Sequence, residues 1–324
     1  MKKRVLSGIR ATGQLHLGNY LGAIKGMLAL QDNPDYETLF MVADVHTLTT
    51  PYDVEGLRKN RRAVIIDYLA AGLDPKKSVL FQQSEVNQHL ELAFYFSSVV
   101  TIAKMQHLPT FKEKVKQYPD HATLALLNYP TLMAADILVY KADSVPVGVD
   151  QEPHIEVTRE IARRMNQDYG TSFPEPQRFE TEGGYVPSLT GEGKMSKTVE
   201  GSFIALTDDL DTIRKKVRSV PTATEAGGEM SAGIKNIFTI FHLINSQKST
   251  EFEKQFSEGT LKFVELKDSL AEEIFSMLLP FQTKRRELVD NPDFVNQVMK
   301  EGAEKARAIA SETVTEVKQK MGLA

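Results

Sequence analysis

Residues 13–22, Gly-Gln-Leu-His-Leu-Gly-Asn-Tyr-Leu-Gly, constrain the fold more than any other stretch of the chain. They follow the run Arg4-Val5-Leu6-Ser7-Gly8-Ile9, which reads as a strand, and they open the helical spacing Leu17, Leu21, Ile24, Leu28. The glycines therefore sit where a strand turns into a helix. There they let the backbone approach a ligand closely, while a helix N-terminus directs unpaired N–H groups and partial positive charge at any anion placed before it. The expectation is a phosphate site, with His16 as a donor that carries no permanent charge and Asn19 as an amide that donates and accepts. An ordinary strand-to-helix turn accounts for the same residues, so the rest of the chain has to decide.

The alternation continues. Residues 38–43 read as a second strand, 58–72 as an amphipathic helix ended by Gly72 with Pro75 beyond, and 79–83 as a third strand. Strand, helix, strand at this spacing predicts an α/β fold with a parallel sheet, right-handed crossovers and ligands at the carboxyl edge of the strands. Asp44, His46 and residues 82–85 fall at that edge. Helical segments 88–107 and 121–140 follow, with a charged loop at 111–114 between them and Pro130 suited to a first helical turn. On the second segment Tyr129, Met133, Asp136 and Tyr140 share a face that is apolar apart from one acid. A carboxylate on an inward face needs a partner, so Asp136 either pairs with a protein donor or awaits one from a ligand. Residues 144–148 read as a fourth strand and 150–164 open a helix, with Gln151 at the junction. Residues 173–193 read as loop with a short strand near 185–187. From 208 onward the pattern is helical throughout: 208–219, 233–245, 249–256, 260–279, 284–290 and 292–321.

Composition narrows the chemistry. No cysteine occurs among the 324 residues, which removes disulfides, thiolate nucleophiles and cysteine-held iron-sulfur clusters, and the seven histidines form no close ligand pair. No protein-held metal is expected. No run approaches the roughly 18 apolar residues of a membrane span, and Met1-Lys2-Lys3-Arg4 leads into a strand, so a cytoplasmic protein is expected. Net charge is −4, and from residue 199 onward 17 Lys and Arg face 20 Asp and Glu. Nucleic-acid contacts must then be local, in clusters such as Lys215, Lys216 and Arg218 or Lys284, Arg285 and Arg286. The stretch Gly191-Glu192-Gly193-Lys194-Met195-Ser196 is not a Walker A loop, because Ser188 and Met195 stand where glycine and a hydroxyl residue are needed, nor a dinucleotide fingerprint, whose third glycine is Ser196.

The run Gly193-Lys194-Met195-Ser196-Lys197-Thr198, downstream of His16-Leu17-Gly18-Asn19, resembles the paired signatures of the class I aminoacyl-tRNA synthetases. Within them the chain is similar to the bacterial tryptophan-specific branch, through Tyr129-Pro130-Thr131-Leu132-Met133-Ala134-Ala135-Asp136, through Gly148-Val149-Asp150-Gln151 with His154, Glu156, Thr158 and Arg159, and through residues 301–306. The resemblance implies a Rossmann-type catalytic domain over 1–198, an all-helical anticodon-binding domain over 199–324, a homodimer, ATP with Mg2+, and attachment of L-tryptophan to tRNA(Trp) through an adenylate. It implies that Lys194, Lys197, Lys114 and His16 serve catalysis. ATP contacts fall to Arg10, Thr12, Gly18, Asn19, Gly148, Asp150, Gln151, Met195 and Ser196. Leu6, Gly8, His46, Tyr129, Met133, Asp136, Val145, Val147 and Gln151 line the amino-acid pocket, with Tyr129 and Gln151 orienting the ammonium and Asp136 reading the indole N–H. Three positions depart from the wider pattern: Asn19 stands for histidine, Ala11 for proline and Thr198 for serine. An adenylyltransferase of the superfamily would share His-x-Gly but lack 148–159, and a silent paralogue would have lost the lysines. Tyrosine-specific enzymes usually carry glutamine where Met133 stands.

Overall fold

The computed structural model describes residues 2–179, 185–197, 199–222 and 230–324. Strand β1 (Lys3–Arg10) pairs along its whole length with β2 (Tyr36–Ala43), and β2 pairs with β3 (Val79–Gln82). On the other side of β1 lie β4 (Ser144–Pro146) and β5 (Gln177–Phe179), and every pairing is parallel. The order β3-β2-β1-β4-β5 means that the chain builds outward from β1, then returns to its other side. That reversal opens a crevice at the carboxyl ends of β1 and β4. Val5, Leu6, Leu39, Phe40, Val42 and Phe81 are buried in continuous runs rather than alternately, as a sheet covered on both faces requires.

Helix α1 starts at Leu17–Asn19, passes through a π turn at Tyr20–Ile24 and continues as Lys25–Asp32. Helix α2 (Val54–Ala70) is capped by Asp53, which accepts from Gly56 N, and ends ahead of Gly72 at φ +106°. The segment expected as one helix over 88–107 is two, α3 (Gln88–Phe96) and α4 (Ile102–His107), because Thr101 caps a new start by accepting from Lys104 N. Residues 111–114, expected as a loop, lie inside helix α5 (Pro109–Gln117). Helix α6 (Leu124–Leu138) is capped by Thr123, so Pro130 sits in its interior rather than its first turn. Helix α7 (Glu152–Tyr169) ends at Gly170 in the left-handed region. Strand β5 had no sequence counterpart, and the strand expected near 185–187 is an isolated bridge from Pro187 to Lys194. Thr198 lies outside the described residues.

The chain forms two compact units. One comprises Met1–Gly13, Met27–Glu180 and Asn291–Ala324; the other comprises Gln14–Gly26 and Thr181–Asp290. The single division expected after residue 198 thus becomes four crossings. One cause is the last helix, α12 (Pro292–Lys320), which packs on the sheet edge at β3. A Cβ on Gly302 would lie 1.8 Å from the Leu80 carbonyl oxygen, so only glycine permits this approach. Ala306, Ala310, Val314 and Val317 join the same buried cluster as Phe81. The other cause is the stretch around His16, which pairs with residues 204–206: Leu17 N donates to Ile204 O at 2.8 Å and Leu206 N to Leu15 O at 3.0 Å.

The second unit also holds α8 (Leu210–Arg218), α9 (Ala232–Ile244), α10 (Ser246–Ser257) and α11 (Phe263–Val289). The segments expected at 260–279 and 284–290 are one helix, α11, which runs through Pro280. Lys267 on α11 is buried and donates to Arg218 O and Val220 O, satisfying carbonyls at the end of α8.

Candidate functional site

The crevice of the first unit holds a cavity of about 660 Å³. Strands β1, β2 and β4 supply Leu6, Gly8, Met41, Val145 and Val147, helix α6 supplies Tyr129, Met133, Asp136 and Ile137, and Arg10, His46, Lys114, Asp150 and Gln151 stand around them. Gly8 is required here because a Cβ would lie 2.9 Å from Met41 O on the neighbouring strand.

Asp136 is the acid on the α6 face, and it already has protein partners. Its Oδ1 accepts from Gln83 Nε2 at 2.7 Å and bonds His89 Nδ1 at 2.6 Å, while its Oδ2 bonds His46 Nε2 at 2.7 Å. Burial alone would raise this carboxyl, but the field and hydrogen bonds of His46 and His89 outweigh it and hold the group below its ordinary value. Asp136 is thus an ionised acceptor in a largely apolar wall. A carboxylate has about four lone-pair positions, three of which are filled.

Tyr129 places its hydroxyl 2.6 Å from His154 Nε2, and Thr110 Oγ1 lies 3.2 Å from the same nitrogen. Burial pushes the Tyr129 phenol up to about 12, so it keeps its proton, and burial lowers His154, which stays neutral. Arg10 is tied down by His46 O at 2.9 Å and Thr50 Oγ1 at 3.2 Å. Lys114 donates to Gln117 Oε1 at 2.7 Å, and Gln151 Nε2 to Asp150 Oδ2 at 2.7 Å. Gly148 precedes the short turn carrying Asp150 and Gln151, where a Cβ would meet Asp150 Oδ1 at 2.4 Å.

A second cluster lies within the other unit. His16 is buried beside the lysine loop, and a Cβ on Gly18 would lie 3.0 Å from the His16 ring and 3.3 Å from Met195 Cβ. Asn19 Oδ1 accepts from His16 N at 3.1 Å, holding the start of α1. The lysine loop is shaped by Gly191 and Gly193, both at positive φ, and by bonds from Met195 N to Val186 O and from Ser188 N to Gly193 O. Met195 is buried, Lys194 is exposed, and Ser196 and Lys197 are half-buried. Burial, then the positive fields of Lys197 and Lys194, lower His16 to about 4. The imidazole is therefore a neutral donor or acceptor near pH 7.

Every expected amino-acid residue lines the cavity, as do Arg10, Lys114 and Asp150. His16, Gly18, Asn19, Lys194, Met195, Ser196 and Lys197 belong to the second cluster instead. Thr12 is exposed and lines no part of the cavity. Sequence reasoning placed Gln83 at the strand edge and Glu113 in a charged loop without tying either to this cavity or to Asp136, and it missed His89 and Thr110.

The family described as tRNA synthetases class I (W and Y) matches residues 1–279. This chain belongs to that family. Among its relatives, proteins named Tryptophan--tRNA ligase from Chlamydia caviae and Helicobacter pylori are each 40% identical, covering 98% and 99% of this chain and 94% and 99% of their own. The tryptophanyl-tRNA synthetase of Mycoplasma pneumoniae superposes with a TM-score of 0.88 at 30% identity, covering 100% of this chain and 99% of its own. That of Campylobacter jejuni, complexed with ADP and tryptophan, superposes with a TM-score of 0.86 at 32% identity, covering 99% and 100%. In this class I synthetase fold the cavity occupies the sheet's switch point, where such folds bind their ligands.

Proposed function

We propose that the chain activates L-tryptophan with ATP and transfers it to tRNA(Trp). The observation that carries the specificity is the cavity wall: its one buried carboxylate, Asp136, lines it together with Leu6, Met41, Met133, Ile137, Val145 and Val147, whereas the other lining acids, Glu113 and Asp150, are exposed. Tryptophan's side chain has one polar group, an N–H donor on an apolar ring system, and the fourth acceptor position of Asp136 suits it. A ligand without that donor leaves this one acceptor position of a buried carboxylate without its hydrogen bond, which weakens its binding relative to tryptophan.

In the first step an oxygen of the amino-acid carboxylate attacks the α-phosphorus of ATP, the bond to the bridging oxygen breaks, and pyrophosphate leaves. No strong base is needed, so the protein contributes positioning and charge stabilisation. By family resemblance Lys194, Lys197 and Lys114 neutralise the leaving group, and His16, Gly18 and Asn19 hold ATP, which carries Mg2+ as part of the substrate. Tyr129 and Gln151 orient the ammonium. In the second step a terminal ribose hydroxyl of the tRNA attacks the activated carbonyl and AMP leaves. The helices of the second unit supply the anticodon contacts.

The active form is a homodimer in the cytoplasm. Leu90 and Phe94 on α3, Ile102 on α4 and Leu124 at the start of α6 are exposed, the last at 82%, and α6 packs on both α3 and α4. An apolar face of this kind marks an interface. Among the described residues no helix is long and apolar enough to cross a membrane. Charging of unfractionated tRNA with labelled tryptophan tests the function: ATP-dependent, acid-precipitable label supports it, and label incorporated only from another amino acid refutes it.

A further inference from the structure

We propose that His89 and Tyr140, neither of which reaches the cavity, are positioning residues for amino-acid selection: together they fix the Asp136 carboxylate so that Oδ2 keeps an acceptor position on the cavity side. The inference rests on the reading of Asp136 as the acceptor of the ring N–H.

The two oxygens of Asp136 have different neighbours. Oδ2 bonds His46, which lines the cavity, whereas Oδ1 bonds Gln83 and His89, which do not. His89 and Tyr140 are fully buried and Gln83 nearly so. Gln83 cannot turn its amide over, because its Oε1 accepts from Val45 N at 3.1 Å and His46 N at 3.4 Å, which points its NH2 at Asp136. His89 is fixed from behind: its Nε2 lies 2.7 Å from the Tyr140 hydroxyl. Burial and the nearby Asp136 charge keep Tyr140 protonated, so a neutral hydroxyl bonds Nε2, while the carboxylate oxygen at 2.6 Å requires a proton on Nδ1, facing Oδ1. The other tautomer would set a nitrogen lone pair against a carboxylate oxygen at 2.6 Å. The chain Tyr140 to His89 to Asp136 thus determines both the charge and the rotation of the carboxylate, over a path in which every group is removed from water. Removing a link lets Asp136 turn or take up a proton, and either change spends the acceptor position that distinguishes an indole from an apolar bicycle of the same size.

The test compares tryptophan with its benzothiophene analogue, in which sulfur replaces the ring N–H, in amino-acid-dependent pyrophosphate exchange. The variants are His89→Leu, His89→Asn, Tyr140→Phe and Asp136→Ala. The expected result is a fall of about tenfold in the ratio of kcat/KM for tryptophan to that for the analogue in His89→Leu and Tyr140→Phe, the scale of one disturbed buried hydrogen bond. The analogue's own kcat/KM should stay within about threefold of the parent's. His89→Asn, whose amide can donate from nearly the place of Nδ1, should recover part of the ratio. Equal losses for both substrates would mean a merely structural role and overturn the proposal, as would an unchanged ratio in Tyr140→Phe with its melting temperature retained. Asp136→Ala separates the two levels: if it keeps the parent's ratio, the reading of Asp136 fails, and if it loses the ratio while the His89 and Tyr140 variants keep it, only the positioning role fails.

Discussion

The state of His16 is open to direct measurement. Burial and the two lysines of the loop move its titration from 6.5 to about 4. At about 1.36 kcal/mol per unit, the fold disfavours the imidazolium by roughly 3 kcal/mol. The group is neutral in the fold but free to ionise in the unfolded chain, so the unfolded state binds more protons between those two values. Stability from this residue is therefore complete above pH 6.5 and is lost as pH falls from 6.5 through about 4. The perturbation is His16→Gln, and the assay is an NMR titration of histidine-labelled protein, in which the resonance missing from the variant identifies His16 among seven histidines. The parent's resonance should titrate near 4, and Lys197→Ala should move it upward by removing a positive neighbour. Inorganic pyrophosphate should move it upward as well, by offsetting the lysine field. Titration near 6.5 in the free protein, or no response to Lys197→Ala, would contradict a neutral His16 held down by burial and the loop lysines.

Three further outcomes are expected. Lys197→Ala should slow adenylate formation by about 2 to 4 kcal/mol, the worth of one preorganised charge stabiliser, with little change in tryptophan affinity; single-turnover kinetics with an unchanged rate and weakened ATP binding would contradict the role. Gly302→Ala should destabilise the first unit by about 1 to 3 kcal/mol, because its Cβ would overlap the Leu80 carbonyl and push α12 off the sheet edge; an unchanged denaturation midpoint would contradict that packing. Phe94→Asp, at a side chain 76% exposed, should shift the mass seen by light scattering from dimer toward monomer, and a monomeric parent would remove the interface altogether.

The order of strands and helices was legible because β1, β2 and β3 are short, largely apolar stretches bounded by glycine and proline, too short for helices and flanked by turn residues. Helix α5 was not, since it buries no residue and so shows no apolar period; Pro109 in its first turn and the tertiary setting hold it. Strand β5 has three residues at the sheet edge, too few for a pattern. The apolar face of α12 is equally compatible with either unit in the sequence, and the contact between Gly302 and Leu80, with Ala306, Ala310, Val314 and Val317 beside Phe81, shows which one it covers. At the site, helical periodicity was enough to put Tyr129, Met133 and Asp136 on one face. It was not enough to find the partners of Asp136, because Gln83 and His89 come from the end of β3 and from α3, 53 and 47 residues away, where only the crossover connections bring them together. Asp136 was open to two readings in the sequence, and the structure shows the internal partnership while leaving one lone pair for a ligand.

Pyrophosphate exchange run separately with each of the twenty amino acids at fixed ATP and Mg2+ decides whether the cavity selects tryptophan. Exchange driven by tryptophan, with tyrosine and phenylalanine lower by about four orders of magnitude or more, is the predicted result for a pocket that hydrogen-bonds its substrate's one donor. Exchange that is strongest with tyrosine, or that shows no amino-acid dependence, would contradict it.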